Sequence, residues 1–171
     1  SCLDGPSVET DIMEINNTMS RYLREERFAL LPQTMNYVER TLHNGKLRRG
    51  LVGMVDLEQY DYEPGSSAPI RATEGTVLSR IPPRVAVRKN APVELPHVML
   101  LVDDPDQTVI EPLADQTGSM QVLYDFDLME RGGHIKGWEL TEDQQAQVAR
   151  ALSALADPAK FNARYGTKDE A

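Results

Sequence analysis

The chain has 171 residues, 40% of them hydrophobic and 26% charged, with a formal net charge of −9. That length and composition suit one soluble domain with a real core and exclude a disordered or fibrous chain. An acidic chain is repelled by nucleic-acid backbones and anionic membranes unless it segregates a basic patch, and the longest clean apolar run, Val98–Val102, falls far short of the roughly 20 residues of a membrane helix.

Thr10 to Phe28 reads as an amphipathic helix. Ile12, Ile15, Met19 and Tyr22–Leu23 recur at helical spacing, with Ser7 or Thr10 placed to cap the start. Glu9, Asp11 and Glu14 crowd its first half and Arg21, Arg24 and Arg27 its second, which complements a helix dipole. The stretch "NYVERTLHNGKLRRGLVGMVDL" predicts a β-hairpin, with Asn44-Gly45 as the central pair of a type I′ turn. Its apolar second arm, Leu51 to Leu57, predicts a central strand covered on both faces. "YDYEPGSSAP" is a loop. A short helical turn is expected over Glu74–Ser79, and a second helix starts at Pro82 or Pro83, where proline suits the first turn. On that helix Val85 is assigned to the face opposite Arg84 and Arg88.

"HVMLLV" predicts a buried strand stopped by "DDPD", and "QVLYDFDL" and "HIKGWEL" predict two more strands around Gly132-Gly133. Thr141 to Gln144 is a capping box, opening a helix through Val148, Leu152 and Leu155 that Pro158 ends. These elements predict a single α/β (α+β) domain over residues 1–171, a mixed β-sheet with a β-hairpin, flanked by helices.

The chemistry offered is narrow. Cys2 is the sole cysteine, so no disulfide or redox pair forms within the chain. His43, His97 and His134 stand singly, without zinc-site spacing. Ser1 to Asp11 is polar and acidic, unlike a signal peptide, and a cytoplasmic location is expected. Neither a Gly-x-Ser-x-Gly elbow nor a glycine-rich phosphate motif occurs. Asp103, Asp104 and Asp106 could touch a hard cation, though such a run after a strand is more often a turn. Asp125 and Asp127 alternate and would share one strand face, as a solvated edge would also have it.

What stands out is the placing of positive charge. Between Arg71 and Lys89 the chain carries Arg71, Arg80, Arg84, Arg88 and Lys89 against one acid, Glu74. No aromatics interleave them for base stacking, so no nucleic-acid partner is expected. Arg71 offers a planar fork for phosphate or carboxylate. Glu74 could orient or deprotonate a hydroxyl, and Thr73 and Thr76 can donate hydrogen bonds. The competing explanation is structural, an ion-pair network of these arginines with Glu63, Glu74 and Glu94.

The run "LVGMVDLEQYDYEPGSSAPIRATEGTVLSRIPPRVAVRKNAPVELPHVMLLVDDPDQTVIEPL" closely resembles a branch of the bacterial family catalogued as domain of unknown function 1015. "MNYVERTLHNGKLRRG", "LYDFDL" and "GWEL" resemble it too, so the likeness covers most of the chain. Elsewhere in that family the segment reads Arg-Pro-His-Glu-x-Thr, then an arginine, then an asparagine before the strand. Arg71, Glu74, Thr76, Arg80 and Asn90 occupy those places, while Ala72 and Thr73 replace the proline and the histidine. The family looks related to the ParB and sulfiredoxin superfamily, whose members bind nucleotide phosphates, some relatives phosphorylating free serine.

The resemblance therefore implies a phosphate-handling site: Arg71, Arg80, Arg84 and Arg88 as phosphate contacts, Glu74 and Thr76 as catalytic residues, ATP or ADP with Mg2+ as cofactor, and a small hydroxyl-bearing ligand. The alternative is a non-catalytic ligand-binding or regulatory module, motivated by Thr73. No membrane partner is expected, and a homo-oligomer is allowed. The family's Asp-Gly-His/Asn-His loop is missing, since Asp-Gly occurs only at Asp4-Gly5. This predicts that the chain is a piece of a longer protein whose C-terminal part completes the site.

Overall fold

The computed structural model describes residues 5–31, 34–63, 66–71, 75–95 and 97–166. In chain order its elements are α1 (Val8–Arg24), β1 (Asn36–Thr41), β2 (Leu47–Val52), β3 (Tyr60–Asp61), β4 (Ile70–Arg71), α2 (Ile81–Arg88), α3 (Glu111–Ala114), β5 (Gln121–Leu128), β6 (Gly133–Glu139), α4 (Glu142–Leu155) and α5 (Pro158–Tyr165). The class is mixed α+β, as expected. The main sheet is antiparallel throughout in the order β2-β1-β6-β5, and the parallel pairing is confined to a separate β3–β4 pair. Backbone packing divides the chain into two units. One comprises Ser1–Leu31 and Thr73–Leu101, the other Pro32–Ala72 and Val102–Ala171.

The second unit holds the core. On one face of the sheet Tyr37 of β1 lies opposite Trp138 of β6, ring centroids 5.5 Å apart. Val109, Leu113, Met120, Leu140 and Val148 close over them. Aromatic pairs of this kind add about 0.5–1.5 kcal/mol beyond the area they bury. The capping box is formed as predicted. Thr141 Oγ1 accepts from the Gln144 backbone N–H at 3.3 Å, and Gln144 Oε1 accepts from the Thr141 N–H at 2.9 Å. Gln144 is also the buried polar residue of the core, its amide donating to Gln116 Oε1 at 3.0 Å.

The predicted hairpin forms, with a turn that differs from expectation, and the two strands predicted around Gly132-Gly133 form a second hairpin. At the first, only Gly45 has positive φ (79°), and Leu42 bonds both Gly45 and Lys46, so His43–Gly45 is a three-residue loop rather than a type I′ pair. At the second, the positive-φ residues of the turn include Glu130 and Arg131 ahead of Gly133. A Cβ on Gly133 would lie 2.0 Å from the Thr41 carbonyl oxygen, so that strand start admits no side chain.

Two predicted strands are corrected. β2 stops at Val52 and is an edge strand, with Arg48 and Arg49 exposed; beyond Gly53 the chain leaves the sheet for a 3-10 turn, Leu57–Gln59, capped by Asp56. Charged residues suit an edge, which must not recruit further strands. "HVMLLV" is neither a strand nor buried: it is exposed, and none of its residues makes a backbone hydrogen bond to another described residue.

In the first unit α1 ends at Arg24 rather than Phe28, because Glu26 turns to φ 54°. Ser7 is its N-cap, though the Ser7 hydroxyl bonds Asp11 rather than the backbone. None of this unit's described residues is buried.

Candidate anion-binding site

The sequence around α2 forces a short helix with a cationic face. A 3-10 turn, Leu78–Arg80, leads into Ile81, and proline in the first helical turn gives up N–H groups that have no intrahelical partner there anyway. Ile81, Arg84, Val85, Arg88 and Lys89 follow at the i, i+3, i+4, i+7, i+8 spacing of a single helix face. That spacing normally packs an apolar stripe against a core. Here the stripe lines an open, shallow groove of about 440 Å³, in which the exposed Ile81 and Val85 lie among Arg84, Arg88 and Lys89. Val85 thus shares the arginines' groove, contrary to its expected place on the far side.

The electrostatics of this face are lopsided. No acid lies in the first turn of α2, while Arg80 is its N-cap and Arg84 falls within that turn. Cations at a helix N-terminus oppose the macrodipole, whereas Arg88 and Lys89 at the other end complement it. Arg88 Nε meets Glu94 Oε1 at 3.0 Å, the one part of the expected ion-pair network seen among the described residues. Arg80, Arg84 and Lys89 have no acidic partner among those residues. Glu63 belongs to the other unit, where its N–H donates to Asp61.

The remaining predicted site residues fall differently. Thr76 is exposed just before the 3-10 turn. Glu74 and Thr73 lie outside the described residues. Arg71 ends β4 in the second unit, half-buried, and donates from Nη1 to the Ser66 carbonyl. It also adds to the pull of the Glu63 N–H and the Ser66 hydroxyl that holds Asp61 below the usual carboxylate range. Its guanidinium braces the 61–71 loop. Lys89, Ile81 and Val85 were not among the predicted site residues, although helical spacing from Arg84 and Arg88 marks all three.

A second polar cluster, on the sheet, is built from residues that sequence reading left scattered. Asp125 and Asp127 do share a face, and strand register sets Lys136 and His134 opposite them. His134 Nδ1 lies 2.7 Å from Asp127 Oδ1 and Nε2 lies 2.6 Å from Asp125 Oδ1, while Lys136 Nζ meets Asp125 Oδ2 at 2.7 Å. Carboxylates on both nitrogens favour the imidazolium, raising the His134 pKa through Asp127 first and Asp125 second. Lys136, then His134, hold Asp125 below its usual range.

Across the same face Arg49 of β2 meets Glu39 of β1 at 3.4 Å, and Glu39 stands opposite Lys136. Tyr37 donates its hydroxyl proton to Glu39 at 2.7 Å; burial first, and that carboxylate second, raise the Tyr37 pKa. The charges alternate in sign across all four strands and satisfy one another.

The aspartates of "DDPD" are likewise engaged. Asp104 caps the turn at Thr108 and Val109, Asp106 meets Arg164 at 2.6 Å, and Asp103 accepts from Tyr165 at 2.7 Å. Among the described residues no group of three or more His, Cys, Asp or Glu could hold a metal ion, and no helix is long and apolar enough to cross a membrane.

An α+β chain with an antiparallel sheet and a cationic helix groove is what fold and site define. The chain belongs to the family described as "Protein of unknown function (DUF1015)", whose model matches residues 3–161. No curated protein and no solved structure matches it.

Proposed function

We propose that the α2 groove is the anion-recognition wall of a phosphate-handling site, serving nucleotide-dependent phosphoryl transfer to a small, serine-like hydroxyl. The observation that carries this is the groove itself: in a chain with a net charge of −9, Arg84 and Lys89 line it without an acidic partner among the described residues. Phosphoryl transfer is mostly positioning and neutralisation of charge, which such a wall supplies. Arg84, Arg88 and Lys89 would hold phosphate oxygens beside Ile81 and Val85, and Arg80 would add to the field. A kinship of this family with the ParB and sulfiredoxin superfamily is part of the same proposal, and it would make ATP or ADP the ligand. Glu74 would orient or deprotonate the acceptor hydroxyl, with Thr76 positioning it. Magnesium would arrive on the nucleotide phosphates, because the groove's lining contains no carboxylate. Arg71, which gives one N–H to the Ser66 carbonyl, would offer its remaining donors to phosphate.

The second reading is a module that binds the same anion without turnover, favoured by Thr73 at the family's histidine position. Calorimetric titration with ATP and ADP, with and without Mg2+, decides between these and the structural reading. Binding should weaken about tenfold or more in Arg84→Ala, the loss of a hydrogen bond between charged groups. Glu74→Gln should bind normally and lose product formation. Binding with no turnover in the unaltered protein selects the second reading. No binding at all, or an Arg84→Glu variant that loses stability while binding normally, refutes the anion site.

A further inference from the structure

Val98–Val102, the longest apolar run in the chain, lies in the open. Val98 is 85% exposed, Met99 84% and Leu101 82%, with Leu100 and Val102 about half exposed. None of residues 97–102 makes a backbone hydrogen bond to another described residue. Consecutive apolar residues with unpaired N–H and C=O groups are what a strand offers a partner. Both ends of the stretch carry stops. Pro96 has no N–H to give to a ladder. After Asp103, the Gln107 N–H donates to the Asp104 carbonyl, and the Asp104 carboxylate accepts from Thr108 and Val109, turning the chain away. The stretch able to pair is therefore 97–103.

That stretch complements itself. Set antiparallel to a second copy with Leu100 opposite Leu100, Val98 faces Val102, Met99 faces Leu101, and His97 faces Asp103. Apolar residues meet apolar residues along the middle, and an imidazole meets a carboxylate at each end. Tyr165 steadies that carboxylate by donating to Asp103 Oδ1. Slipping the register by one residue either way sets His97 against Val102 or Asp103 against Val98, so this register is singled out. The arrangement has a two-fold axis at Leu100, the symmetry of most homodimers.

We propose that residues 97–103 are a dimerisation strand, pairing antiparallel with the same stretch of a second copy about Leu100. A two-stranded ribbon this short is marginal alone, so the association is weak and concentration-dependent.

The test uses the full chain. Sedimentation velocity from about 5 to 500 µM protein, spanning the range of a weak dimer, should show monomer passing to dimer. Leu100→Lys, which sets two like charges together on the axis, should remain monomeric at every concentration with an unchanged circular dichroism spectrum. In a Cys2→Ser background, oxidation should cross-link Leu100→Cys to itself far more than Val98→Cys, whose partner position is 102. A protein monomeric throughout, a Leu100→Lys variant that still dimerises, or equal cross-linking at 98 and 100 overturns the proposal, including the case in which another protein's strand covers this stretch.

Discussion

Gly137 provides a quantitative check on the sheet that carries the core. It is buried in β6, opposite Tyr124 of β5, whose ring lies across it. A Cβ at Gly137 would sit 2.2 Å from the ring Cζ and 2.5 Å from Cε2. Restoring the 3.4 Å of an ordinary contact requires the ring to retreat by about 1.2 Å. That would lift the ring off the strand and disturb its packing on Phe126, 6.1 Å away. Overpacking of this kind costs about 1–3 kcal/mol, against about 0.5–1 kcal/mol regained by replacing a strand glycine with alanine. Gly137→Ala should therefore destabilise by about 1 kcal/mol, the difference between the middles of those ranges. With Tyr124→Ala already present the clash is gone, and the same change should be neutral or stabilising. Urea unfolding of the four proteins of this cycle should give a coupling of at least about 1 kcal/mol. Additive effects would mean that the ring does not lie over the glycine.

Gln144→Ala removes half of the capping box and the bond to Gln116, and should cost about 1–2 kcal/mol by chemical denaturation; a loss within error would show that neither contact contributes. The His134 cluster predicts a pH dependence. His134 has a raised pKa in the folded protein, so its contribution is complete below the ordinary value of 6.5 and is lost as pH rises through the folded pKa. Asp125 has a lowered pKa, so its contribution is present above 3.8 and is lost as pH falls through its folded pKa. The urea-midpoint gap between the unaltered protein and His134→Gln should thus be wider at about pH 5.5 than at about pH 8.5. A gap that does not narrow at the higher pH rejects the doubly paired imidazolium.

Local signals were legible, and partners were not. The capping box at Thr141 and the hairpin around Asn44-Gly45 declare themselves within a few residues, and both took shape, the hairpin with a different turn. Val98–Val102 taken alone declares only that something should cover it; the pairing with a second copy comes into view when His97 and Asp103 at its two ends are read with it. β2 was expected at the sheet's centre because Leu51 and Val52 are apolar; its edge position follows from β1 pairing with β6, a long-range choice no local window contains. His134 looked isolated for the same reason, since only register sets it against Asp127. At α2 the arginine spacing was visible, but the prolines obscured that Val85 belongs to the same groove. The bond from Arg71 to the Ser66 carbonyl was not legible either, because it is made across a loop.

The β1–β6 pairing also sets an order of events during synthesis. Arg40 Nε donates to the Gly132 carbonyl, 92 residues further along, and every β1–β6 rung spans a similar separation. Such contacts close large loops before they return any stabilisation, which makes them late and slow. Until β6 emerges from the ribosome, β1 has only β2 for company, and an isolated hairpin is marginal in water. Trp138, half of the central aromatic pair, arrives later still. The nascent chain therefore carries Tyr37 without its β6 partner while the ~100 residues between them are made, and a pause upstream of Gly133 should lengthen its residence on chaperones.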